Sequence, residues 1–304
     1  MATQAEPVEI TFKQVDGIDI KMDVYIPENA SEKDKAPVLL WWHGLSPHML
    51  SAPSVHNLCI VSPDYRLAPQ TRLPEILSDC AHALSFLSTP QFTSATSNRV
   101  DTTRIVVSGS SAGGWLALFT GTGVGYEACG LAPPKRAVQG GNGQGIKGIA
   151  SLYPITDMED AFWKGQKPLV YIDRVIEKKE VEAYLDPNAK KTCASALDDP
   201  RSIFYHYMVQ EGILPSLLLP PSSSIPASAF SIARNLSLPL PPTYIVHGTA
   251  DTKVPHSQAV DVVSAYAKVG AEVVYDERPG LDHGFDKDEK CTMEEMYKFV
   301  KKVI

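Results

Sequence analysis

Near the start of the chain, apolar and polar side chains take turns. The segment VEITFKQVDGIDIKMDVYIPE holds two such alternating runs around Asp16-Gly17. Alternation at period two predicts half-buried strands, and Asp-Gly between them predicts a tight hairpin. The pattern then changes. APVLLWWHG (36–44) is a continuous apolar run, which suits a strand covered on both faces. CIVSPDYR (59–66), RIVVSG (104–109), GIASLYP (148–154), PPTYIVHG (241–248) and AEVVYDERPG (271–280) predict further core strands. Between them the spacing becomes helical. Ile76, Leu77, Cys80, Ala83, Leu84 and Leu87 fall on one face of a helix over Leu73–Leu87. Helices are also predicted over Ala112–Thr120, Ser257–Val269 and Met293–Val303. Strands alternating with helices predict an α/β fold with a mostly parallel sheet and helices on both faces.

One region breaks this rhythm. From Pro154 to about Pro239 no strong strand pattern occurs. Amphipathic helical pieces (Leu169–Tyr184, Ser202–Glu211) and the Pro/Ser-rich link LLLPPSSSIPASAF fill it. We therefore expect a catalytic core over 1–154 and 240–304, with residues 155–239 inserted as a helical cap. PKRAVQGGNGQGIKG reads as a surface loop. Its GQGIKG (Gly143–Gly148) fits G-x-G-x-x-G, but a strand follows it where a dinucleotide site needs a helix.

The length, 304 residues, fits one large α/β domain with an insertion. Lys and Arg number 28 against 35 Asp and Glu, a net charge of −7. No basic field exists to attract a nucleic acid or an anionic membrane surface. No run approaches the apolar length of a membrane span. Five cysteines (Cys59, Cys80, Cys129, Cys193, Cys291) are scattered without CxxC spacing, as reduced thiols would be. MATQAEPVEITF has neither the basic nor the apolar region of a signal peptide. A cytoplasmic protein acting on a small molecule is expected, with homodimerisation left open.

The chemistry centres on Gly109-Ser110-Ser111-Ala112-Gly113, which matches G-x-S-x-G. A strand enters, a helix leaves, and the middle serine sits at the crest of the bend, which selects Ser111 over Ser108 and Ser110. A serine hydroxyl needs a base to take its proton, and that base needs a carboxylate to orient it. In this strand–motif–helix context the order is serine, acid, histidine. His283, in GLDHGFD, follows the last strand in a glycine-flanked loop and is the expected base. His82, His206, His247 and His256 fall in a helix, the cap, a strand end and a helix start. Asp251 follows the 243–248 strand and is the expected acid; Asp276 lies within a strand and Asp282 adjoins the base. The Ala112 N–H opens the helix and is the natural oxyanion donor. A second donor should come from the loop His43-Gly44-Leu45-Ser46. The tail Asp282–Asp288 lacks a metal-ligand spacing, and Trp41-Trp42 reads as core packing.

These residues resemble the hormone-sensitive-lipase-like branch of the α/β-hydrolase superfamily. The resemblance rests on HG at 43–44, DYRLAPQ at 64–70, GSSAGG at 109–114, LYPITD at 152–157, HGTAD at 247–251 and DHGF at 282–285. It implies the α/β-hydrolase fold, the inserted cap, hydrolysis of a small-molecule carboxylic ester and no cofactor. It makes Asp64, Tyr65 and Arg66 structural. Two departures stand out. The family's HGGG is HGLS here, so the last two backbone donors map onto Leu45 and Ser46. The segment from His43 to Asp64 is also short, with little room for the family's first helix. Two rival functions share the fold. One is a specialised biosynthetic enzyme: a lactonase, an acyl transferase or a hydrolase that releases a polyketide-like intermediate. The other is a small-molecule receptor of the kind that arises by loss of the triad histidine, which this chain retains.

Overall fold

The computed structural model describes residues 6–42, 46–137, 145–193, 200–219 and 222–304. The two alternating runs form β1 (Val8–Val15) and β2 (Ile18–Tyr25), paired antiparallel. Asp16 and Gly17 turn between them at φ 55° and 73°. Two left-handed residues are what a two-residue hairpin turn needs, and Asp and Gly tolerate them best.

The apolar runs become β3 (Ala36–Trp42), β4 (Cys59–Pro63), β5 (Val100–Ser110), β6 (Ile146–Leu152), β7 (Thr243–Gly248) and β8 (Val273–Arg278). They make one eight-stranded sheet in the order β1-β2-β4-β3-β5-β6-β7-β8. β2 meets β4 antiparallel, and every neighbouring pair from β4 to β8 is parallel. Parallel pairing demands crossovers, and the helices supply them. They are α1 (Pro47–His56), α2 (Leu73–Phe86), α3 (Pro90–Ala95), α4 (Ala112–Thr122), α5 (Lys178–Leu185), α6 (Ser202–Glu211), α7 (Leu214–Leu218), α8 (Ser257–Val269) and α9 (Glu294–Val303).

All of β3 is buried, and its side chains divide between two cores. Val38, Leu40 and Trp42 pack on the face covered by α2, α4 and α8. Leu39 and Trp41 pack on the face covered by α1 and α9. A slip of one residue would send each set to the wrong face, so the double burial fixes the register.

Two local features differ from expectation. A ten-residue helix, α1, does form between β3 and β4. Pro47 sets its first turn, where a missing N–H costs nothing, and Asn57 ends it at φ 55°. The helix expected over Leu169–Tyr184 forms only in its second half, as α5. Glu177 and Glu180 build a reciprocal capping box that starts it there. Upstream, Val170 and Val175 stay exposed, so that run presents no single apolar face. Among the described residues of 155–239 there is no strand. Residues 138–144, which include the start of the glycine motif, lie outside the described residues. No described helix is long and apolar enough to cross a membrane.

Candidate active site

β5 delivers Ser111 to the carboxyl edge of the sheet, and α4 leaves immediately behind it. Ser111 sits at φ 57°, ψ −119°, a strained backbone for a side chain with a Cβ. The bend is held because the Ser111 N–H donates to Leu152 O at 2.9 Å. It is also tight. A Cβ on Gly109 would strike the Gly113 carbonyl and come within 2.8 Å of the Trp42 carbonyl oxygen. A Cβ on Gly114 would lie 2.9 Å from Leu152 O. Glycines at these two places are what allow strand and helix to cross so closely.

His283 comes from the loop after β8 and Asp251 from the loop after β7. His283 Nε2 lies 3.0 Å from Ser111 Oγ, and His283 Nδ1 lies 2.8 Å from Asp251 Oδ2. With the Nδ1–H donating to the carboxylate, Nε2 is free to accept the serine proton. The Asp251 side chain is fully buried and that of His283 nearly so. Asp251 Oδ1 accepts the backbone N–H groups of Lys253 and Val254, each at 2.9 Å, which locks the acid into its own turn. Burial pushes the Asp251 carboxyl upward. Hydrogen bonds from His247 and His283 outweigh it and hold the group well below the ordinary carboxylate range.

A family model described as alpha/beta hydrolase fold matches residues 52–287. The chain belongs to the alpha/beta hydrolase fold family, in its hormone-sensitive-lipase-like branch. Solved structures agree in fold. An alpha/beta hydrolase superfamily protein from Enterococcus faecalis superposes with a TM-score of 0.67 at 16% identity, covering 99% of each chain. A butyrate-bound thermophilic esterase from Thermogutta terrifontis superposes at 0.57 with 18% identity, covering 99% of this chain and 93% of that one. Among curated proteins, the chain is 28% identical to a non-reducing polyketide synthase of Emericella nidulans, over 93% of this chain and 13% of the synthase. It spans 12–14% of the length of the curated non-reducing polyketide synthases it matches.

In this alpha/beta hydrolase the remaining candidates take other places. Asp282 accepts from Thr252 N, Thr252 Oγ1 and His283 N, at 2.8, 2.9 and 2.7 Å, and so staples the acid loop to the histidine loop. Asp276 accepts from Tyr244 and Arg278. His256 pairs with the Tyr275 hydroxyl and Glu277. His206 meets Tyr171 at a tilt and Tyr205 edge-on, and His82 bonds the Ser78 carbonyl on its own helix. Ala112 is the first residue of α4, so its N–H is one of those a helix leaves without an internal acceptor. Ser46 is the N-cap of α1. Leu45, with His43 and Gly44, lies outside the described residues. Arg66 is buried in a two-pronged pair with Asp79: Nε reaches Oδ2 and Nη2 reaches Oδ1, both at 2.9 Å.

Sequence reasoning missed three neighbours of the site. His247, read as a strand-end core residue, is fully buried with Nε2 3.1 Å from Asp251 Oδ2. Two imidazoles therefore face one carboxylate oxygen. The spacing of His247 and Asp251 in HGTAD is the one signal that could have suggested it. Tyr153 meets the His283 ring edge-on, with centroids 4.5 Å apart. Asp286, three residues past His283, is buried against Ser46, His48 and Tyr153. Nothing local in the sequence marks contacts that join such distant positions.

Proposed function

We propose that this protein is a serine hydrolase that cleaves carboxylic esters through an acyl-enzyme on Ser111. The supporting observation is the unbroken hydrogen-bonded line from Ser111 Oγ through His283 to Asp251. Ser111 Oγ attacks the ester carbonyl as His283 Nε2 takes its proton. Asp251 holds the imidazole in the needed tautomer and stabilises the imidazolium that forms. The backbone N–H groups of Ala112, Leu45 and Ser46 receive the oxyanion. His283 then protonates the leaving alkoxide, and water repeats the sequence to free the acid. One oxyanion donor in such a site is worth roughly 3 kcal/mol, so each donor affects the rate strongly. Residues 155–239 serve as the cap over this site. The retained histidine, in contact with the serine, favours catalysis over a receptor role.

A second reading narrows the substrate. The similarity to polyketide synthases covers most of this chain but a small share of theirs, as a single released or embedded unit would. It favours an acyl group of polyketide type, held as an oxygen ester or a thioester, and the same chemistry would set it free. A panel of p-nitrophenyl esters of rising acyl size, run beside aromatic acyl thioesters, separates the two. Turnover of short esters that vanishes in Ser111→Ala supports general ester hydrolysis. Turnover confined to the aromatic thioesters supports the release reading. Hydrolysis that persists unchanged in Ser111→Ala contradicts both.

A further inference from the structure

Behind the candidate triad lies a second polar cluster. Ser46, His48, Tyr153, Asp286 and Tyr297 are all buried. Its centre is the Asp286 carboxylate, 1% exposed. Oδ2 accepts the Ser46 hydroxyl at 2.6 Å and faces His48 Nε2 at 3.4 Å. Oδ1 accepts the Tyr153 hydroxyl. While its hydroxyl donates to Asp286, Ser46 Oγ accepts from His48 Nε2–H at 3.1 Å. Tyr297 closes the far end, its hydroxyl 2.8 Å from His48 Nδ1 and 3.0 Å from the His48 carbonyl oxygen.

Burying a carboxylate costs several kcal/mol unless donors surround it, and an apolar side chain often serves stability as well. Burial pushes the Asp286 carboxyl upward, and donation from His48, Ser46 and Tyr153 outweighs it, leaving the group below its ordinary value. What sets this acid apart is the three segments it joins. Ser46 carries a proposed oxyanion N–H and directly follows the HGL stretch. Tyr153, at the end of β6, packs edge-on against the His283 ring. Asp286 itself lies on the single turn Phe285–Lys287 that follows His283.

Resting on the serine-hydrolase reading, we propose that Asp286 is a positioning residue for the reaction. Its carboxylate holds the Ser46 backbone toward the oxyanion and holds Tyr153 behind the imidazole. Oxyanion hole and general base thereby keep one shared geometry. Asp286 touches none of the reacting atoms.

The test is the rate of phosphonylation by a fluorophosphonate, with maximal rate separated from reagent affinity and thermal unfolding measured in parallel. Asp286→Asn and Ser46→Ala should each slow the maximal rate about 10- to 100-fold, as a small misplacement of the reacting groups does, with affinity unchanged. Ser46→Thr keeps the hydroxyl and should recover most of the rate. Ser46→Ala combined with Asp286→Asn should lose no more than the worse single variant, because the Ser46 hydroxyl acts through Asp286. Folded single variants that label at the wild-type rate would overturn the proposal, as would a Ser46→Thr protein as slow as Ser46→Ala. Should Asp286→Asn fail to fold, the Ser46 pair decides alone. Failure of the underlying hydrolase reading looks different: the wild type would resist labelling, or Ser111→Ala would retain it.

Discussion

At the residue scale, the three side chains that the structure brings together were legible as candidates because each carries a local signature. Ser111 stands in the middle of G-x-S-x-G between an apolar run and a helix, and Asp251 and His283 follow successive strands. What was not legible is the company they keep. His247 shares an oxygen of Asp251 because β7 ends where its loop folds back, a feature of the turn rather than of composition. This doubly bonded acid has a consequence for stability. Its folded-state pKa is depressed, so its contribution is complete above the ordinary carboxylate pKa and disappears as pH falls through the folded value. Asp251→Asn should therefore unfold at a lower temperature than the wild type near neutrality. Calorimetry should show the gap narrowing as pH drops below 3.8, the reference value of the free carboxyl. A gap that stays constant down that range would contradict the assignment.

At the element scale, strands and their crossover helices were readable from periodicity, and α8 matches the expected Ser257–Val269 at both ends. α1 was not, because its ten residues carry no clear apolar face; its start and stop depend on Pro47 and on Asn57 in the left-handed region. The Leu169–Tyr184 run misled for the opposite reason: apolar spacing suggested a helix where the capping box at Glu177 begins one late. How the elements are tied together also rests on few groups. Asp79 of α2 receives Arg66 from the loop after β4 and, at 2.6 Å, Lys13 from β1. Its side chain and that of Arg66 are essentially inaccessible to water. Asp79→Ala would leave the Arg66 guanidinium buried without its main partner. We expect a loss of roughly 3–5 kcal/mol in urea unfolding, the range for breaking such a pair. A loss within the ~1 kcal/mol typical of surface pairs would show that the network is not structural.

At the scale of the whole molecule, apolar periodicity marked a mostly parallel α/β sheet with a break before residue 240, but not the strand order. The order sets β4 between β2 and β3, so that β2 pairs with a strand that is not its successor in the chain, and periodicity within one strand does not mark its neighbour. That arrangement brings positions 172 residues apart in the chain, Ser111 and His283, to hydrogen-bonding distance. In the proposed reaction, Ser111 is a nucleophile activated across this gap. Intact-mass and peptide-level mass spectrometry after exposure to a fluorophosphonate tests it most directly. We predict a single adduct, located on Ser111, absent in Ser111→Ala and formed far more slowly in His283→Ala. An adduct on any other residue, or one that forms undiminished in either variant, would contradict the account.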